Sequence, residues 1–245
     1  MPQESAVAMV LSSAPLREQD KQVTLLTREN GLLKAVAPGA SKLKNRFGSL
    51  LELFTEGEFH YYWREDREWV TLSKGEIRKS FFPVVSAAEN VFYFYFLAEI
   101  VLQMIPVNHR DTRVYKLLSA ILQARERGLA MEWLLPYFLV WMLRDEGLLF
   151  NPERCSNCRN GIRERAWLRD DYRGLLCPSC RRGEALVIGR QELEFIAWTK
   201  SAPPGQCAAW AGRFAPAPLI RLLTGAIEHH GEFTLQSRRY LPEFR

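Results

Sequence analysis

Residues 51–63 read LELFTEGEFHYYW. The odd positions Leu51, Leu53, Thr55, Gly57, Phe59, Tyr61 and Trp63 are mostly apolar; the even ones include Glu52, Glu56, Glu58 and His60. A period of two with one apolar face is the pattern of a half-buried β-strand. Gly57, in its middle, predicts a bulge or a sharp coil of the kind that closing a small barrel requires. Upstream, Ser5–Leu16 is small and mostly apolar, and Lys21–Thr27 (KQVTLLT) is strand-like. Asn30-Gly31 then precedes the return strand Leu32–Ala37, and Asn-Gly between two apolar runs is a strong hairpin signal. Trp69–Leu72 can supply one more strand. Five short strands with no helix-length pattern before residue 74 predict a small barrel such as an OB-fold.

From Gly75 the period changes. Ser86–Met104 (SAAENVFYFYFLAEIVLQM) reads as a helix, with Ser86 as its cap and Glu89 at the capping-box position. Apolar residues nearly encircle it, which places it centrally in a bundle and makes Phe92 and Phe96 core residues rather than a base-stacking platform. Thr112–Arg127 and Ala130–Glu146 are two more helices, the second carrying Pro136 as a kink or break. Gln191–Thr199 and Pro218–His230 are helical, and Ser201–Pro218, rich in Pro, Ala and Gly, reads as a loop. His229 and His230 fall at a helix C-terminus, where the dipole favours a cation.

Between the helices lies the strongest single motif. Cys155-Ser-Asn-Cys158 is followed, after eighteen residues, by Cys177-Pro-Ser-Cys180. Two matched CxxC pairs are the signature of one tetrahedral four-thiolate zinc site, each pair forming a knuckle and a short hairpin bringing the knuckles together. No His lies between Asn151 and Arg190, so an open catalytic position is not expected. A redox dithiol or two disulfides would be the alternative. Cys207, the fifth cysteine, reads as a small buried apolar residue. From Glu153 to Arg190 there are nine arginines against five acidic residues. Either they offset the charge of about −2 that zinc and four thiolates carry, or they form a nucleic-acid patch.

The hydrophobic fraction is 47% and the formal charge +5. No apolar run approaches a bilayer span and the N-terminus lacks the pattern of a secretory signal, so a cytoplasmic protein in a reducing compartment is expected. There is no GxxxxGK[ST], GxGxxG or HExxH, and no recognisable Ser-His-acid set. No active site can be assembled, and the chain is read as a non-enzyme. Lys42, Lys44 and Arg46 put three cations into five loop residues, with Lys34 before them. On charge alone this is a solvated loop or a phosphate-binding one in equal measure.

Residues 24–62 (TLLTRENGLLKAVAPGASKLKNRFGSLLELFTEGEFHYY), the helical block, CSNC, CPSC and LLTGAIEHHGEFTLQSRRYL (222–241) together resemble the RecO family of bacterial recombination mediators, in order and over nearly the whole chain. The GAxKxKxRF stretch and SRRYL are the most specific parts. The resemblance implies an α+β protein: an N-terminal OB-fold β-barrel at residues 1–80, then an all-α domain at 81–150 and 191–245, with an inserted four-cysteine zinc-binding segment at 151–190. It implies binding of single- and double-stranded DNA, annealing of complementary strands, partnership with RecR and the single-strand DNA-binding protein, and loading of RecA, in the cytoplasm at the nucleoid. No nucleotide cofactor is implied; structural Zn²⁺ is. The loop carrying Lys42, Lys44 and Arg46 matches the family's basic loop, and Lys34 before it is taken with them as DNA-binding. A cation-rimmed site at Arg110, Arg113 and Lys116 is expected to dock the acidic tail of the single-strand DNA-binding protein. Two other readings stand beside this one: a zinc-dependent nucleic-acid-processing enzyme, and a zinc-ribbon structural or adaptor protein without a direct DNA-binding role.

Overall fold

The computed structural model describes residues 3–63, 68–107, 109–110, 112–181, 183 and 186–244. The chain forms two compact units, Met1–Ser119 and Ala120–Arg245.

In the first unit, β1 (Gln3–Pro15), β2 (Lys21–Thr27), β3 (Gly31–Ala37), β4 (Thr55–Tyr62) and β5 (Val70–Ser80) close a barrel in the order β1-β2-β3-β5-β4. All pairings are antiparallel except β3 with β5, where Ala35 lies beside Val70 and Val36 beside Thr71. This is the OB order, and it removes the exposed edges that an open five-stranded sheet would present. The barrel is filled by every second residue: Ala8 and Val10, Val23 and Leu25, Ala35 and Ala37, Phe59 and Tyr61, Val70 and Leu72. A one-turn 3₁₀ helix, Gly48–Leu51, adds Leu50 and Leu51 to that core.

Two details of the barrel differ from the sequence reading. Leu51 and Leu53 precede β4, which starts at Thr55 after a left-handed Phe54 (φ 56°). The last strand also does not end near Leu72: β5 continues to Ser80, with Gly75 opposite Phe59. Past Leu72 few of its residues are buried, so no apolar period marks it. The Asn30-Gly31 hairpin forms with Arg28-Glu29-Asn30 as a three-residue loop and Gly31 left-handed (φ 68°) at its end.

The helices are α1 (Phe82–Val85), α2 (Val91–Met104), α3 (Arg113–Glu126), α4 (Met131–Asp145), α5 (Arg190–Trp198) and α6 (Pro216–Gly231). The expected helix from Ser86 starts later, at Val91. Ser86 closes the single turn α1 and the long helix begins after Asn90, whose side chain donates to the Val84 carbonyl at 2.6 Å. α2 packs on β1, and Phe94 meets Phe54 edge-on at 5.3 Å. It is not encircled by protein: Phe96 is buried, but Phe92 and Tyr95 are exposed. α4 runs unbroken through the buried Pro136.

In the second unit, α4 packs against α6. The stretch after Ser201, expected as a loop, holds a 3₁₀ helix, Pro204–Trp210, with Cys207 and Trp210 buried. Trp210 stands edge-on to Phe195, Trp198 and Phe214, and Trp133 joins the cluster through Phe195 and Phe214. Beside this cluster, Arg144 ties α4 to the end of α5. Its guanidinium lies 4.6 Å from the Trp141 ring and donates to the Ile196 carbonyl and the Thr199 hydroxyl, both at 3.0 Å. Charge-assisted bonds of this kind contribute about 1.5–3 kcal/mol. Arg144→Ala is therefore expected to cost about 2 kcal/mol in chemical denaturation, and Arg144→Lys to recover only part of that.

Candidate metal centre and nucleic-acid interface

The thiol site is built from two knuckles and the hairpin between them. β6 (Arg165–Leu168) pairs antiparallel with β7 (Leu175–Leu176) and with β8 (Val187–Gly189). The first knuckle turns as the Arg159 N–H bonds the Cys155 carbonyl at 3.0 Å, with Arg159 left-handed (φ 65°). The second turns as the Cys180 and Arg181 N–H groups bond the Cys177 carbonyl at 3.0 and 3.1 Å. Ser156 clamps the first knuckle to the hairpin strand leading into the second, its N–H and hydroxyl both donating to the Leu175 carbonyl.

This places the four sulfurs of Cys155, Cys158, Cys177 and Cys180 within 4.8 Å of one another, with Cys158 and Cys177 at 3.7 Å. Zinc–sulfur bonds of about 2.3 Å in a tetrahedron put neighbouring sulfurs about 3.8 Å apart. A disulfide would need about 2.05 Å, and all five cysteines are free. The donor set therefore fits a tetrahedral ion that prefers thiolate.

The surrounding amides favour negative sulfur. Cys155 is disfavoured as a thiolate by burial, but backbone N–H groups of Cys158, Cys177 and Asn157 outweigh this and bring it down to about 6. At Cys158 the Asn160 N–H favours the thiolate; burial and hydrogen bonding to the other three sulfurs outweigh it and push the thiol up to about 12. That is the behaviour of clustered thiols that cannot all be charged unless a cation joins them. Cys207 stands apart, buried and pushed up to about 12 by burial alone.

Asn157, inside the first CxxC, donates its amide to Cys180 at 3.4 Å, and the Cys177 N–H donates to Cys155 at 3.4 Å. Cysteine spacing alone does not single out Asn157. A polar residue between two metal-like cysteines was the available signal.

The barrel's cations do not form an extended row. Residues 38–47 run through turns and bends. Asn45 braces the loop, its carboxamide oxygen accepting from the Phe47 and Gly48 N–H groups and its NH₂ donating to the Lys42 carbonyl. Phe47 is pinned in the barrel core, with the Arg46 guanidinium 5.1 Å from its ring. Arg46 also reaches the Leu72 carbonyl at 3.5 Å. Lys42 and Lys44 are exposed, flanking a fully exposed Leu43. Lys34 projects from β3 and pairs with Glu68 at 3.0 Å, both side chains substantially exposed. Arg110, Arg113 and Lys116 are exposed around the start of α3. Arg182, one of the nine arginines of the thiol segment, lies outside the described residues.

No helix among the described residues is long and apolar enough to cross a membrane. The fold and site define a class: an OB barrel followed by a helical unit that carries a cluster of four thiols able to hold a metal ion. Comparison with known proteins makes this specific. A family model described as Recombination protein O N terminal matches residues 1–81, and one described as Recombination protein O C terminal matches residues 86–239. The chain belongs to the RecO family of DNA repair proteins. It is 31% identical over 228 residues to the DNA repair protein RecO of Koribacter versatilis (strain Ellin345), covering 92% of each chain. It is 27% identical over 248 residues to that of Anaeromyxobacter dehalogenans (strain 2CP-1 / ATCC BAA-258), covering 99% of this chain and 97% of the relative.

Proposed function

We propose that this chain is a recombination mediator that binds single- and double-stranded DNA, anneals complementary strands and, with RecR, helps load RecA onto DNA coated with the single-strand DNA-binding protein. It acts in the cytoplasm at the nucleoid and catalyses no covalent chemistry. The observation that carries this reading is the closed OB barrel with a braced cationic loop at its surface, in a chain of the RecO family. OB barrels bind strands in a basic groove, where phosphate contacts supply affinity and exposed side chains meet bases. Lys42 and Lys44 supply the phosphate contacts. Arg46, tied to Phe47 and Leu72, contributes charge from a fixed position, and Lys34 contributes least because Glu68 neutralises it. Arg110, Arg113 and Lys116 receive the acidic tail of the single-strand DNA-binding protein. The ion between Cys155, Cys158, Cys177 and Cys180 is one structural Zn²⁺, which supplies no reaction and holds the two knuckles together.

Annealing of complementary oligonucleotides without ATP or Mg²⁺ tests the reading, and is expected without nuclease products. Lys42→Ala with Lys44→Ala is expected to shallow the salt dependence of single-strand binding by about 1.4, at about 0.7 per phosphate contact, equally for different sequences. Anisotropy at several salt concentrations measures this. A wild-type chain that binds no DNA would leave the structural or adaptor reading, and strand cleavage would point to an enzyme.

A further inference from the structure

A second cationic feature lies away from the barrel. Gly161–Arg165, Trp167 and Pro178 line a cleft of about 530 Å³ on the thiol segment. Arg165 and Trp167 stand on one face of β6 because strand side chains alternate. Trp167 is only 6% exposed, yet its indole N–H has no acceptor among the described residues. A buried donor left unpaired is costly, so an acceptor is expected there. The Arg181 guanidinium covers the Trp167 ring at 5.1 Å and donates to the Gly183 carbonyl. Arg163 and Arg165 are exposed, and neither has an ion-pair partner among the described residues. Glu164 is the only acid among the described residues of the lining.

These cations make no direct contact with the thiol cluster. Among the described residues, the hydrogen bonds to the cysteine sulfurs come from backbone N–H groups of the knuckles, from the Asn157 amide and from the thiols themselves; none comes from an arginine side chain. The cleft presents exposed guanidinium groups beside Trp167, whose unpaired indole N–H is closed to solvent and is reached only when the ring shifts on binding; such groups suit an oxyanion with several acceptor oxygens. A phosphodiester backbone suits this better than a lone carboxylate, because it presents a row of charges that Arg163 and Arg165 can meet together.

We propose that this cleft binds the phosphate backbone of single-stranded DNA, which makes the thiol segment a second strand-contacting surface. The inference rests on the DNA-binding reading and extends it: annealing needs two strands held at once, and a surface separate in sequence from the barrel loop can hold the second.

The test uses the full-length, zinc-loaded chain and labelled oligothymidylate. Arg163→Ala with Arg165→Ala is expected to shallow the salt dependence of binding by up to about 1.4. Trp167→Phe, which keeps an aromatic ring and removes the donor, is expected to weaken binding about three- to tenfold. Both should slow annealing more than they weaken binding of one strand. Zinc content and circular dichroism establish that the variants are folded. Should they not fold, photo-crosslinking of the wild-type chain to iodouracil-containing DNA decides the matter: adducts within residues 161–181 are expected, and adducts confined to the barrel overturn the proposal. An unchanged slope and annealing rate in the folded variants also overturn it, as does capture of an acidic peptide in this cleft without competition by DNA. A wild-type chain that binds no DNA refutes the parent reading; a wild-type chain that binds DNA with these variants unaffected refutes only this one.

Discussion

Cys177→Ser is expected to lose the metal and to lower the stability of the second unit by more than about 4 kcal/mol. The argument starts from how little else holds the segment. β7 is two residues long and β8 three, and sheets this small do not stand alone in water. Leu168, Leu175 and Ile188 give it a minor core, too small to offset the entropy of ordering more than about thirty residues. A metal that joins both knuckles supplies binding free energy that is at once folding free energy. The Cys177 side chain is buried and its sulfur lies 3.7 Å from that of Cys158, so its loss opens the cluster from within. Elemental analysis is expected to give one zinc per chain for the wild type and none for the variant, with a clear fall in melting temperature. Binding must displace the proton that Cys158 retains in the metal-free cluster, so affinity falls as pH falls and acidification releases zinc. A variant that keeps both its zinc and its melting temperature would show that three thiolates suffice and that the segment folds on its own contacts.

The parts of this structure that were legible in the sequence are those fixed by neighbours in the chain. A CxxC pair sets its own geometry, so both knuckles could be read from spacing, and the period of two in 55–61 survives because β4 has one face in the barrel. The misread parts depend on contacts that residue spacing does not set. β5 continues to Ser80 as a ladder partner of β4 although its own residues past Leu72 mostly face solvent, so hydropathy carried no signal. Ser86 and Glu89 make a plausible capping box, yet the long helix starts after Asn90 because Asn90 is bonded back to Val84. The stretch after Ser201 looked like a loop from its Pro, Ala and Gly content, while Trp210 within it is a core residue held by aromatics from α5. At the candidate sites, the residue types were legible and their pairing was not. Nothing local announces that Lys34 meets Glu68, that Arg46 lies over Phe47, or that the Trp167 indole has no acceptor among the described residues.

Gly57 illustrates the difference and carries the second large effect. Its place in mid-strand signalled a bulge, and the β4–β5 register does shift between Glu56 and Gly57. The stronger reason for a glycine is Leu50. A Cβ on Gly57 would stand 2.6 Å from Leu50 Cδ1, and one on Gly75, in the paired strand, 2.6 Å from Leu50 Cδ2. The same two Cβ atoms would stand 2.8 Å from the carbonyl oxygens of Glu76 and Glu58. The two glycines thus form a notch that admits Leu50, which is 1% exposed, into the barrel core. Gly75→Val is expected to cost at least about 3 kcal/mol, because a branched side chain must displace both a buried leucine and a strand carbonyl. Leu50→Ala empties the notch instead and is expected to cost about 2–5 kcal/mol. The two changes share one contact, so the double variant should be less destabilised than the sum of the singles, by about 1 kcal/mol or more. The residual cost is the collision with the Glu58 carbonyl, which removing Leu50 does not relieve. Denaturant unfolding of the four chains in the cycle measures the coupling. Strict additivity would mean that Leu50 and Gly75 do not compete for the same space, and that Gly75 is required by the strand backbone alone.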